Sequence, residues 1–165
     1  MGAKSALSDE QYLHTSFPDL DKEYRDGELV ERSLPTYPHG KTQIRIGAYF
    51  AALRKSLSLY ATAETRMKLR TGLYLIPDIA VFHGGEPLDV PEAPPLVAIE
   101  ILSPDDQLQR VADKLDEYRA WGVPHTWAVD PVSKRFYVRR NELREVDELP
   151  IPELAITLTK SDIFD

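Results

Sequence analysis

Apolar and polar positions recur with two different periods along this chain, and the changes of period divide it into helices and strands. Ile46, Phe50, Leu53 and Leu57 return at helical spacing, so the stretch from Pro38 predicts a helix buried along one face, with Lys41, Arg45 and Lys55 on the other. From Tyr60 to Arg70 the pattern alternates: Ala61, Ala63, Thr65, Met67 and Leu69 fall on one side, Thr62, Glu64, Arg66, Lys68 and Arg70 on the other, as in a single half-buried strand. Two runs of β-branched and aliphatic residues follow, Ile79 to Phe82 and Leu96 to Leu102, joined by a Gly- and Pro-rich segment that neither strand can continue into. They read as antiparallel neighbours, and if Phe82 pairs near Leu96 the register brings Asp78 opposite Glu100.

Beyond these runs, Ser103-Pro104 predicts a helix start, serine as N-cap and proline in the first turn, with Asp105 and Asp106 at its positive end. Leu108, Val111, Leu115 and Tyr118 form its apolar stripe and Gly122 its stop. On the helical wheel Lys114 lies within about 40° of Gln107 and Tyr118, at the stripe's edge, where it can lean over a sheet. His125 to Asp130 and Arg135 to Arg139 predict two more strands, followed by a Pro-rich acidic tail. Near the beginning, Ser8 and Gln11 have the spacing of a capping box, and a loop is expected from Phe17 to Asp21. Asp26-Gly27 marks a hairpin turn between short strands.

Helices alternating with strands make this an α/β chain with a mixed sheet. A length of 165 residues with 42% hydrophobic content suits one domain: a lead-in over 1–20, a core over 21–139 and a C-terminal extension over 140–165. The absence of cysteine removes disulfides, thiolate metal sites and cysteine nucleophiles and fits a reducing cytoplasm, the expected location. No apolar stretch has the length of a membrane span, and residues 1–9 lack the pattern of a secretory signal, so no membrane partner is expected.

The net charge of −7 hides an asymmetry: seven cations face one acid between Lys41 and Gly72, a local +6 that leaves −13 elsewhere. That segment is the natural place for a polyanion, and Lys41, Arg45, Arg66, Lys68 and Arg70 are the candidates for phosphate contacts.

Asp78 and Glu100 stand out because each is an isolated carboxylate in an apolar run. An ionised acid beside a core needs a partner, and two acids meeting at a strand end can hold Mg²⁺, or Mn²⁺, with the Ile101 carbonyl and water completing the shell. Lys114 could then orient or deprotonate an attacking water, or stabilise developing charge. Singly, each residue has an ordinary structural explanation; in this order they outline a phosphodiester hydrolysis site. The four histidines show no metal-ligand spacing, and there is no nucleophile elbow or phosphate-cradling glycine loop.

The segments Asp26-Gly27-Glu28-Leu29-Val30-Glu31, Pro77-Asp78, Pro95 to Pro104, Lys114-Leu115-Asp116-Glu117-Tyr118, Trp121-Gly122-Val123 and Trp127 to Pro131 resemble the Uma-two family of restriction-endonuclease-like proteins, placed in the PD-(D/E)XK nuclease superfamily. The resemblance spans roughly Pro18 to Phe164. It implies a mixed sheet flanked by helices, Mg²⁺ dependence, DNA as partner and substrate, and Asp78 and Glu100 as metal ligands. The superfamily pattern expects lysine two residues after the second acid; that position is Leu102, and Lys114 is the substitute. Glu31, His39 and Tyr118 are auxiliary candidates, Glu31 as a third acid from the hairpin. A homodimer would suit cutting of both strands. Two other readings stay open: a nucleic-acid binding module that has lost cleavage, suggested by Leu102, and a protein-interaction or oligomerisation domain, suggested by the acidic surface and the two tryptophans.

Overall fold

The computed structural model describes residues 6–18 and 20–165. Met1–Ser5 and Asp19, parts of the expected lead-in and its loop, lie outside the described residues. Helix α1 (Asp9–Leu13) opens on the expected capping box, Ser8 Oγ accepting from Gln11 N–H and the Gln11 side chain from Ser8 N–H. The hairpin β1 (Glu23–Arg25) and β2 (Glu28–Val30) turns at Asp26 and Gly27, both at positive φ, 47° and 95°. Next come α2 (Tyr37–Ala52), α3 (Arg54–Leu57), β3 (Leu59–Ala63), β4 (Met67–Arg70), β5 (Leu73–Leu75), β6 (Ile79–His83) and β7 (Val97–Ile101). Helix α4 (Leu108–Trp121) leads to β8 (His125–Asp130), β9 (Arg135–Arg139) and β10 (Leu143–Val146). The chain closes with β11 (Glu148–Ile151), a 3₁₀ turn at Pro152–Leu154, β12 (Ile156–Thr159) and α5 (Lys160–Phe164).

The larger sheet has the order β10-β9-β8-β7-β6-β3, antiparallel except for β7 and β8, which run parallel because α4 crosses between them. A smaller sheet, β2-β1-β5-β4, carries the hairpin. On one face of the larger sheet, Ile79, Val81, Val97, Ile99, Ile101 and Trp127 pack against Ile46 and Phe50 of α2. On the other, Ala80, Ala98 and Ala128 meet Val111, Leu115 and Tyr118 of α4. Ala80 pairs directly with Ala98, and Ala128 with Glu100, so this face carries a strip of small side chains over which α4 can lie close.

Three readings of the pattern need correction. Tyr60 to Arg70 is two strands: the chain turns at Glu64, with φ 50°, sending β3 to the edge of the larger sheet and β4 into the smaller one. The alternation holds within each piece but cannot show that the pieces belong to different sheets. Second, α4 starts at Leu108, five residues after Ser103. The Asp106 carboxylate accepts from Ser103 N–H at 2.6 Å while Asp106 N–H returns to Ser103 C=O, closing a turn where the first helical turn was expected. Leu108, at the resulting helix start, is 56% exposed and not part of the buried stripe. Third, the acidic tail is structured: Leu149, Ile151, Leu158 and Ile163 enter the same core cluster as α2.

Candidate active site

Strand parity and register build the site. Residues 78, 80 and 82 point to the α4 side of β6, as do 98 and 100 on β7, and the observed pairs Ile79–Ile99, Ala80–Ala98 and Val81–Val97 continue to Asp78 opposite Glu100. Both acids are buried, at 5% and 8% exposure. Over the alanine strip, α4 delivers Lys114 and Tyr118: Lys114 Nζ lies 2.9 Å from Glu100 Oε1, and Tyr118 O–H donates to the same oxygen at 3.1 Å.

Glu23 was not anticipated. Its Oε1 is 2.6 Å from Lys114 Nζ and accepts from Ile76 N–H at 2.9 Å. With the Ile76 carbonyl also accepting from Lys114 at 2.9 Å, the three hydrogens of the ammonium group have three oxygen partners. In the Asp26-Gly27 hairpin Tyr24 packs with Tyr12 and Tyr74 on one side, so the neighbouring Glu23 faces the other. Arg32 was missed as well, and the irregular segment between β2 and α2 that carries it has no periodicity to reveal it. Its Nη2 donates to Asp78 Oδ1 at 3.3 Å, an oxygen that also lies 3.3 Å from His39 Nε2 at the start of α2. Asp78 Oδ2 accepts from Ile101 N–H at 2.6 Å.

The electrostatics follow from this crowding. Burial pushes the Glu100 carboxyl up to about 8; Lys114 opposes the rise, and Asp78 and Glu23 add to it. Burial works on Asp78 in the same direction, but the hydrogen bond and charge of His39, the Lys114 charge and the Ile101 N–H together hold it below the ordinary aspartate value. For Lys114, burial favours loss of the proton and is outweighed by Glu100, Glu23 and Asp78, which raise its pKa above that of a free lysine. His39 is likewise raised, Asp78 overcoming the effect of burial.

These groups line a cleft of about 590 Å³ that also takes in Glu31, Ser33, Asp105, Asp106, Arg110 and Glu117. Glu31 stands at its exposed rim and pairs with Lys22 at 3.4 Å. The other cations singled out in the sequence are not brought there. Arg66 lies over the Tyr12 ring and donates to Leu13 C=O, Lys68 pairs with Glu92 at 3.5 Å, and Arg70 makes two bonds to Asp26 at 2.8 and 3.1 Å. Arg45 donates to the Ile163 and Asp165 carbonyls, and Lys41 is exposed on α2. Leu102 is half-buried against the α4-side core, so the amine beside Glu100 comes from the helix and not from the strand.

For a divalent cation, the donor set is of the two-acid kind. Among the described residues no three His, Asp or Glu side chains are disposed to hold one ion, so a cation at this place would have only the two acids and water as ligands, a donor set that Mg²⁺ accepts. The charge balance fits as well. A carboxyl raised to about 8 among other acids is one that additional positive charge would ionise.

A mixed sheet with a helix on each face and paired acids at the end of its central antiparallel strands defines a restriction-endonuclease-like fold. Residues 9–164 match the Uma2 family, described as "Putative restriction endonuclease", and the chain belongs to that family. A crystal structure from Anabaena variabilis ATCC 29413, described as "a putative nuclease belonging to DUF820", shares the fold with a TM-score of 0.79 at 24% identity, over 96% of this chain and 97% of that one. No curated protein matches the sequence. Among the described residues no helix is long and apolar enough to cross a membrane.

Proposed function

We propose that the protein is an endonuclease that hydrolyses phosphodiester bonds of DNA with Mg²⁺, or Mn²⁺, held by Asp78 and Glu100. The observation that carries this reading is the pairing of two buried carboxylates across β6 and β7 with the Lys114 ammonium 2.9 Å from one of them, at the floor of an open cleft. When bound, a divalent cation supplies Lewis-acid charge at a phosphoryl oxygen and acidifies a coordinated water. The protein's own groups prepare that place. Ile101 N–H and His39 fix the orientation of Asp78, while Tyr118 and Lys114 fix that of Glu100. With its hydrogens committed to three oxygens and its pKa raised, Lys114 acts as a fixed cation that holds Glu100 and stabilises negative charge developing at the phosphate, not as a proton acceptor.

Incubating purified protein with supercoiled plasmid and Mg²⁺ or Mn²⁺ should give nicked or linear product. Asp78→Ala and Glu100→Ala should each reduce the rate by about 100-fold or more, the scale expected when a metal ligand is lost. Equal cleavage by these variants would trace the activity to a contaminant and overturn the assignment. Salt-sensitive DNA binding that is indifferent to metal and unaccompanied by cleavage would instead support a binding module on a nuclease scaffold.

A further inference from the structure

The cleft is lined by eight carboxylates and only four cations, so a phosphodiester entering it needs particular positive groups to rest on. Three of the four are poorly suited. Lys114 has its hydrogens committed, Arg25 is tied to Glu117 at 2.7 Å, and Arg110 is exposed at the rim. Arg32 differs from all of them. Its side chain is 11% exposed, yet among the described residues a single one of its five N–H donors makes a hydrogen bond, the 3.3 Å contact to Asp78, and Glu64 stands 3.9 Å away. Elsewhere in the fold arginines close two-point forks: Arg139 on Asp116 at 2.9 and 2.7 Å, Arg70 on Asp26. The only fully buried side-chain nitrogen or oxygen without a partner among the described residues is His39 Nδ1, so the uncommitted nitrogens of Arg32 must open onto solvent, and the solvent beside them is that of the cleft.

We infer that Arg32 is the residue that binds a phosphate of the nucleic-acid strand at this site. The inference rests on the endonuclease reading and gives that site its anion-recognition group. A largely buried guanidinium that keeps uncommitted N–H donors, 3.3 Å from a proposed metal ligand, is suited to two-point contact with phosphoryl oxygens, which an ammonium group cannot reproduce. The contact to Asp78 keeps the fork aimed at the cleft floor.

The test uses the full chain as wild type, Arg32→Gln and Arg32→Lys, with a fluorescently labelled DNA duplex of mixed sequence. Binding is measured by anisotropy in Ca²⁺ over a range of salt, Mg²⁺ binding by calorimetry, and cleavage in Mg²⁺. Arg32→Gln should weaken DNA binding roughly tenfold or more and lower the salt slope by about one unit, the signature of one lost phosphate contact, while the heat of Mg²⁺ binding is retained. Arg32→Lys should restore the salt slope but not the cleavage rate. If Arg32 serves only as a counter-ion to Asp78, Arg32→Gln will change Mg²⁺ binding or thermal stability and leave DNA affinity and salt slope at wild-type values, and the inference falls. Wild type that cuts, with both variants cutting and binding equally, removes the Arg32 role alone. Wild type that neither binds nor cuts removes the endonuclease reading with it.

Discussion

Lys114 and the acids around it are a cluster in which no member can be changed alone without consequence. Glu23 and Glu100 are both buried and both depend on the same ammonium group, so Lys114→Met leaves two carboxylates without their cation. Breaking a buried pair from one side costs about 3–5 kcal/mol, and urea denaturation of Lys114→Met should show a loss of that order. The double variant Lys114→Met with Glu100→Gln should be less destabilised than the two single losses added together, by about 1 kcal/mol or more, because the amide no longer needs the missing charge. Additive losses in the cycle would mean that the 2.9 Å contact carries no coupling. At this scale the sequence singled out Asp78, Glu100 and Lys114 as candidates, since an acid in an apolar strand and a lysine at a stripe's edge are visible anomalies, and the fold buries both acids and sets the lysine against Glu100. Glu23 was hidden in a three-residue strand, too short for alternation to register, and Arg32 in a segment without period.

Between elements, the spacing of α4 from the sheet decides whether Lys114 and Tyr118 reach Glu100. The alanines Ala80, Ala98 and Ala128 set that spacing, all fully buried on the α4 face. Ala98→Leu adds volume there with nowhere to relax, so it should cost about 1–3 kcal/mol and reduce cleavage at least tenfold, although residue 98 touches no substrate group. Preserved activity would show that helix and site are not so linked. A turn gives a different test. Asp130 accepts from Val132 N–H, Ser133 N–H and Ser133 Oγ between β8 and β9. Partial burial would raise its carboxyl, but these bonds favour the charged form and hold it below the ordinary value. A folded-state pKa below the unfolded one gives stability that is complete above the unfolded value of about 4 and lost as pH falls through the folded value. Asp130→Ala should therefore lower stability by about 1 kcal/mol at neutral pH, with the difference from wild type closing on acidification. Element type was legible wherever period and punctuation agreed, as in α2, β6, β7 and β8. It failed at Ser103–Asp106, where an aspartate side chain captured the backbone before a helix could, and at Glu64, where a turn separates two stretches of one alternating pattern.

Over the whole molecule, charge and chain order were the poorest guides. The positive segment between Lys41 and Gly72 is divided among α2, α3 and two sheets, and most of its cations are held by partners of their own, among them Asp26, Glu92 and the carbonyls near the C-terminus. A sum along the sequence cannot register such pairing. The same holds for residues 140–165, which look like an acidic extension because their apolar positions are sparse and broken by prolines. Folded, Leu149, Ile151, Leu158 and Ile163 are at most 1% exposed, Phe164 packs beside Phe136, and Tyr49 of α2 donates to Thr157 C=O. Each fully buried apolar side chain of this size contributes about 1.5–3 kcal/mol, so four of them together rival the roughly 5–15 kcal/mol that holds a typical domain folded. Truncation after Asn141 should therefore not leave a trimmed but working core. It uncovers the face of α2 that buries Ile46 and Phe50, and α2 also carries His39 to Asp78, so the shortened chain should lose its cooperative thermal transition, elute as aggregate in size-exclusion chromatography and show no cleavage. A soluble 1–141 fragment with a sharp melting transition would show instead that α2 and the other five strands of the larger sheet hold together without β10 and the elements after it.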